Sequence, residues 1–203
     1  MPAPITIRAP RQLLVEGKSP ELFIGAMLPS IGLSDIQIHD FGGIGDLRTF
    51  LKLLKNDPGF GTQVMALGII RDAEGSSSSA HQSVCSALKA AGLPEPPKPL
   101  FSCGGKPRVS AFFFPDCASP GMLEDLCLQA VAKDPAINCV DDYFDCLRKQ
   151  SVASPTPLAK ARLQAFLASR SRPNLQLGQA AAASYFPWQD PAFDLLKHFL
   201  HTF

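Results

Sequence analysis

The sequence predicts an α/β fold, in which a mainly parallel sheet of about four strands is flanked by helices and followed by a helical C-terminal part. Short apolar runs alternate with amphipathic segments through residues 1–120, which is the pattern of repeated strand–helix units. After residue 120 the apolar residues recur only at helical spacing. We therefore predict an α/β core over 1–120 and a helical extension over 121–203, packed on the core as one compact domain.

The first part of the predicted core contains two strand–helix units. Residues 13–15 form a short apolar strand that stops at a Glu-Gly pair. Ser19 and Pro20 then predict an N-cap and a first helical residue, because proline lacks only an N–H that would be unpaired there. Residues 36–41 form the second strand candidate, and apolar residues at helical spacing over 47–54 follow it.

The second part of the predicted core repeats the same order. Residues 64–70 are almost wholly apolar, as expected for a strand that is covered on both faces. A Ser-rich turn leads into a helix with apolar residues at helical spacing over 84–91, and Gly92, a residue typical of helix C-termini, is its predicted C-cap. Residues 93–107 hold five prolines and two glycines and are predicted to be a loop, and residues 109–114 form the fourth strand.

The overall composition argues against several classes of protein. The 203 residues carry 19 basic and 18 acidic side chains, a net charge of +1, which argues against broad, non-specific binding to nucleic acid. With 46% hydrophobic and 18% charged residues, disorder over the whole length is not expected. No uncharged apolar run of about 20 residues is present, and no apolar leader is recognisable. We expect a cytoplasmic protein with reduced thiols and no membrane partner.

Charge is nevertheless segregated along the second half of the chain. Residues 116–145 contain seven acids and one base, and residues 148–172 contain six bases and no acid. Two interpretations remain open at this point. Either the two stretches are solvated faces that compensate each other, or the basic stretch makes a local surface for anions.

Acidic residues follow two of the predicted strands. Glu16 comes after the first strand, and Asp72 and Glu74 come after the third. If these strands are neighbours in a parallel sheet, the carboxylates meet at its carboxyl edge, where ligands bind in such folds. A cluster of this kind repels itself unless a proton or cation neutralises it, and oxygen-only ligands suit Mg²⁺ or Mn²⁺. The alternative is that acids close strands only because the next residue is solvated.

The same residues resemble the TOPRIM pattern, in which a glutamate closes the first strand and a DxD-type pair closes a later one. The matching segments are LVEGK at 14–18 and GIIRDAE at 68–74. The resemblance is strongest to a small bacterial TOPRIM-like family, a domain of unknown function, and is distant to OLD-type nucleases. It extends over nearly the whole chain, to Gly43, to GMLEDL at 121–126 and to Trp188. It implies a TOPRIM-like, Rossmann-like sheet.

The resemblance also implies roles for individual acids. Glu16 corresponds to the TOPRIM glutamate, a general acid/base or metal ligand, and Asp72 to the first Asp of DxD. Glu74 stands where a second Asp is usual, so its arm is longer by one methylene. Glu124 resembles the further acid that OLD-type nucleases place on a helix after the sheet. Together these four are the expected ligands of Mg²⁺ (or Mn²⁺), which would hold a phosphodiester and activate water.

Three further residues are candidates for binding phosphate. Lys18 lies just past the first strand and is expected to pair with a phosphate near the catalytic acids, although an ordinary surface lysine is an equal alternative. Gly43 and Gly45 lie between a strand and a helix, where backbone N–H groups can cradle phosphate. This glycine segment lacks the ending of a P-loop, and a tight turn is the other interpretation.

These observations predict a Mg²⁺-dependent protein that acts on phosphodiester bonds, a nuclease, with nucleic acid or a nucleotide as its partner. One alternative is a non-catalytic module that binds a metal or nucleotide, which the Glu at position 74 and the absence of a strong basic field favour. A second alternative is a phosphotransfer enzyme acting on a nucleotide, which the neutral net charge would suit. Association into a homodimer is left open.

Overall fold

The computed structural model describes residues 5–203, so residues 1–4 of the predicted core lie outside it. Within this range, four parallel strands form one sheet in the order β2-β1-β3-β4. This confirms the predicted α/β fold with helices around a parallel sheet and a helical C-terminal part. The strands are β1 (Arg11–Val15), β2 (Ile36–Asp40), β3 (Ala66–Asp72) and β4 (Arg108–Phe114).

Helices follow each of the four strands, and the remainder of the described chain after β4 is helical. The helices in the core are α1 (Lys18–Ser30), α2 (Leu47–Lys55), α3 (Phe60–Gln63) and α4 (Ser77–Ala90). After β4 come α5 (Leu123–Ala130), α6 (Pro135–Lys149), α7 (Leu158–Ala168), α8 (Leu177–Ala182) and α9 (Asp194–Thr202), with a 3₁₀ turn at Pro191–Phe193 before α9. No helix within residues 5–203 is long and apolar enough to cross a membrane.

The sheet separates two hydrophobic cores, because successive residues of a strand point to opposite faces. One core joins Leu14, Ile69 and Phe113 to helices α2, α3 and α4. The other joins alternate residues of the same strands to α1 and to the helices after β4. The C-terminal helices therefore bury their apolar stripes against the sheet itself.

The end of the chain packs directly on the central strand β3. A side chain at Gly68 would place its Cβ 2.9 Å from both Leu13 Cδ1 and Phe203 Cδ2, so only glycine fits this approach. Trp188 packs nearby, with its ring centroid 5.1 Å from that of Phe23 and 5.5 Å from that of Phe193. These contacts fix the helical extension against the strands.

Several predicted boundaries are wrong, and three of them lie at the carboxyl edge of the sheet. Helix α4 begins at Ser77, within the predicted Ser-rich turn, because the Ser76 side chain caps it by accepting the Ser79 N–H. Helix α1 begins at Lys18 rather than after Ser19, because Gly17 takes the N-cap position with a φ of 90°, which favours glycine. The Gly17 N–H donates to Asp40 Oδ1 at 2.9 Å, which holds this turn. Strand β3 runs from 66 to 72 rather than from 64 to 70. Arg71 and Asp72 are therefore strand residues with fixed directions.

Candidate functional site

The two strands that carry the predicted acids are neighbours. Strand β1 pairs in parallel with β3, with Val15 opposite Ile70. The Glu16 N–H continues this pairing by donating to the Ile70 carbonyl at 3.2 Å. Glu16 and Asp72 therefore emerge at the same edge of the sheet, as the sequence predicted.

Both acids line one polar cavity of about 210 Å³, which we call the strand-end cleft. Its charged side chains come from the ends of β1 and β3, the first turns of α1 and α5, and the third position of α7. They are Glu16, Lys18, Asp72, Glu124 and Lys160. Three of the four predicted metal-ligating acids thus share a cleft with the predicted phosphate-binding lysine.

Asp72 is the most buried carboxyl of the cleft, and its environment disfavours the charged form. Burial raises the pKa of Asp72 to about 7, although the Leu123 N–H at the start of α5 donates to its Oδ1 at 2.9 Å. The carboxylates of Glu124 and Glu16 raise the pKa further, and the Lys160 ammonium lowers it. A bound cation would relieve the same unfavourable charge.

Glu16 lies between the strand-end cleft and a buried arginine. Its Oε2 is 3.2 Å from Arg71 Nε, but the pair lacks hydrogen-bond geometry. Burial raises the pKa of Glu16, Arg71 lowers it, and the nearby Glu74 raises it again. Glu124 has a pKa that is also raised by burial. The cleft therefore gathers carboxyls whose charged forms need a counter-charge.

Glu74 is the one predicted acid that does not line the strand-end cleft. Its backbone is held in a left-handed conformation, with a φ of 49°, by a two-bond bridge to Gly121 in which both N···O distances are 2.7 Å. From this position its exposed side chain lines a second cavity beside Arg71. Glu74 and Asp72 are two residues apart in the sequence, but their side chains line different cavities.

The donor set fits a magnesium ion that keeps much of its water. Among residues 5–203, no group of three or more His, Cys, Asp or Glu side chains lies close enough together to hold a metal. Mg²⁺, however, is commonly held by one or two carboxylates, with water and substrate phosphate completing its six positions. Glu16 and Asp72 supply oxygen ligands of that kind, and Glu124 lies in the same cleft.

The predicted phosphate-binding glycines lie away from this cleft, in the loop between β2 and α2. The Gly43 N–H donates to Asp46 Oδ2 at 3.1 Å, so a carboxylate of the same loop already satisfies it. Gly45 is exposed. Lys18 does line the cleft, and its ammonium pairs with Glu21, whose hydrogen bond raises the pKa of Lys18.

Half of the bases in the basic stretch are paired with acids of the acidic stretch. In the described chain, three arginines of the basic stretch pair with acids of the acidic stretch, namely Arg148 with Asp145, Arg162 with Asp141 and Arg170 with Asp134. Lys160 belongs to the same basic stretch but faces the strand-end cleft. Compensation is therefore confirmed for the three paired arginines, and an anion-binding role of Lys160 stays a prediction.

Sequence reasoning did not identify Lys160 or Arg71 as site residues. The available signal for Arg71 was a single charged residue inside an otherwise apolar strand. Lys160 gave no comparable signal, because only tertiary folding brings α7 to the end of β3.

Comparison with known proteins identifies one family. A family model described as "Protein of unknown function (DUF3226)" matches residues 10–203. No curated protein and no solved structure matches the chain. The match covers all four strands and every helix of the described fold. The chain therefore belongs to the DUF3226 family.

Proposed function

We propose that this protein is a TOPRIM-like, Mg²⁺-dependent enzyme that acts on phosphodiester bonds, and that it is a nuclease. The observation that supports this most is the strand-end cleft. Two carboxylates on adjacent parallel strands, Glu16 and Asp72, share it with the two lysines Lys18 and Lys160. Carboxylates to hold a divalent cation and ammonium groups to attract phosphate are the two requirements of metal-dependent phosphodiester hydrolysis.

In this proposal each side chain has a distinct task. Glu16 and Asp72 hold Mg²⁺ (or Mn²⁺), which supplies an activated water and charge stabilisation at the phosphate. Lys18 and Lys160 bind the phosphodiester, and Glu124 supplies a further carboxylate to the metal or its water. Burial raises the pKa of Glu16, and a bound cation would favour the charged form of Glu16 that holds it.

The test is a cleavage assay on single- and double-stranded DNA and RNA, with Mg²⁺, Mn²⁺ or a chelator. We compare the wild type with Glu16→Gln and Asp72→Asn, which keep side-chain size and remove charge. Glu95→Gln, an exposed glutamate in the loop before β4, is the matched control. We expect metal-dependent cleavage that falls at least about 100-fold in both site variants and stays unchanged in the control. Cleavage that survives in either site variant would contradict the proposal.

A second candidate is a non-catalytic module that binds a metal or nucleotide. Two observations favour it: Arg71 already faces one oxygen of Glu16, and Glu74 lines another cavity. This candidate predicts that Mg²⁺ or Mn²⁺ raises the melting temperature of the wild type, but not of Asp72→Asn, while no nucleic acid is cleaved. That combination of results would replace the nuclease proposal.

A further inference from the structure

A second cavity lies beside the strand-end cleft. It has a volume of about 290 Å³, and we call it the Arg71 pocket; its polar side chains are Arg71, Glu74, Ser76 and Ser79, and Ile44 supplies an apolar wall. Arg71 and Asp72 are consecutive strand residues, so their side chains leave β3 toward opposite faces. One strand end therefore contributes to two cavities.

The Arg71 guanidinium is buried without enough partners. Its side chain is 4% exposed, and its only ionic contact in the described chain is the 3.2 Å approach of Nε to Glu16. Neither Nε nor Nη1 makes a hydrogen bond. Buried guanidinium donors are normally satisfied, because an unpaired one loses its hydration without compensation. The unpaired donors indicate an acceptor from outside the chain.

The pocket also lies at the N-terminus of α4, a helix of 14 residues. Ser76 caps this helix, and its side chain accepts the Ser79 N–H at 3.2 Å. Ser76 and Ser79 line the pocket with hydroxyl groups that can donate hydrogen bonds, and the helix dipole adds positive potential at this end. A helix N-terminus and an arginine fork together are the donors that bind phosphate elsewhere.

We propose that the Arg71 pocket is a phosphate-binding site, distinct from the strand-end cleft. Its ligand is a tetrahedral phosphate, free or as a monoester, which accepts hydrogen bonds from the Arg71 fork and the first turn of α4. The site goes beyond the proposed function, since binding there requires neither a metal nor cleavage. Glu74 is the opposing charge at this pocket, and its exposed carboxylate weakens binding by repelling the anion.

The experiment is a calorimetric titration of the full chain with inorganic phosphate and with a nucleoside monophosphate, in chelator, so that no metal site contributes. Arg71→Met removes the fork and keeps an apolar arm, and Glu74→Gln removes the repulsion. Lys149→Met is the matched control, because it removes an exposed cation that lines neither the Arg71 pocket nor the strand-end cleft. Circular dichroism and a thermal melt establish that each variant is folded.

We expect saturable binding by the wild type, a loss of at least about tenfold in affinity for Arg71→Met, tighter binding by Glu74→Gln, and no change for Lys149→Met. If Arg71→Met does not fold, Glu74→Gln still decides the question, because only an anion beside residue 74 gains from that change. The proposal is overturned by absence of saturable binding, by unchanged affinity in Glu74→Gln or in folded Arg71→Met, or by an equal loss of affinity in Lys149→Met. None of these results depends on nuclease activity.

Discussion

The strand-end cleft and the Arg71 pocket lie on either side of the last two residues of β3, and they differ in which charge is buried. The cleft is bounded by Glu16, Asp72 and Glu124, with two exposed lysines at its rim. The pocket has a buried arginine at its base and an exposed glutamate at its mouth. The acids are thus deepest in one cavity, and the base is deepest in the other.

The end of one strand therefore carries a buried guanidinium on one face and a buried carboxyl on the other. Alternation along β3 sends Arg71 to one face and Asp72 to the other. Glu16, which directly follows the adjacent strand, lies 3.2 Å from Arg71 and shares the strand-end cleft with Asp72. A cation bound in the cleft and an anion bound in the pocket would each relieve a charge that the fold leaves poorly compensated. The predictions below test the two cavities separately.

The largest expected effect concerns the buried carboxyl of Asp72. Its pKa is about 7 in the fold, against 3.8 as its ordinary value, so the folded state binds more protons than the unfolded state between these values. Stability should therefore fall as the pH rises from about 4 to about 7. We expect Asp72→Asn to be more stable than the wild type at pH 8, by up to about 4 kcal/mol, with the difference vanishing near pH 4.

The measurement is urea unfolding of both proteins at several pH values. Asp145→Asn on the exposed side of α6 is the matched control and should show no comparable pH-dependent gain. Equal stability of Asp72→Asn and the wild type at pH 8 would show that ionisation of Asp72 does not lower the free energy of unfolding. The cleft would then hold no unfavourable charge for a cation to neutralise.

The second largest effect concerns the Glu16–Arg71 ion pair, which lies between the strand-end cleft and the Arg71 pocket. Replacing Arg71 by Met leaves the Glu16 carboxylate buried without its partner, which should cost about 3 kcal/mol of unfolding free energy. The double variant Arg71→Met with Glu16→Gln should recover most of that loss, since no unpaired charge remains. A double-mutant cycle by urea unfolding checks this prediction, and strictly additive losses would mean that the two cavities are not coupled through this pair.

The fold and one of the two cavities could be predicted from sequence, for physical reasons that the residues illustrate. The apolar run of β3 and the helical spacing that follows it are local patterns, so they predicted a parallel sheet and brought Glu16 and Asp72 to one edge. The position of Glu74 depends on a bridge to Gly121, and that of Lys160 on the packing of α7. Such partners are set by tertiary contacts and leave no periodic signal.

The end of β3 is a second feature that the sequence pattern did not predict. A strand that ended at residue 70, as predicted, would have left Arg71 and Asp72 in the following loop. Because the strand continues through residue 72, alternation sends these neighbours apart and creates the Arg71 pocket. A shift of two residues in a strand boundary therefore changes which cavities the sequence predicts.

The smallest expected effect concerns Lys160, an exposed cation at the rim of the cleft. Its ammonium lowers the pKa of both Asp72 and Glu124. Lys160→Met should therefore raise the pKa of Asp72 by less than about one unit, because an exposed charge is screened by water. NMR titration of the side-chain carboxyl carbons measures this shift, with exposed Lys149→Met as the control. A shift of equal size in Lys149→Met would show that Lys160 has no specific effect on the pKa of Asp72.

The central claim is that Glu16 and Asp72 together hold a divalent cation in the strand-end cleft. The most direct test is a crystal structure grown with Mn²⁺ at pH 8, where Asp72 is ionised, with an anomalous difference map to locate the ion. We predict one peak roughly 2.0–2.2 Å from a carboxylate oxygen of each residue, with water completing the shell. A map without a peak in this cleft, or with the ion bound only at Glu74, would contradict the account.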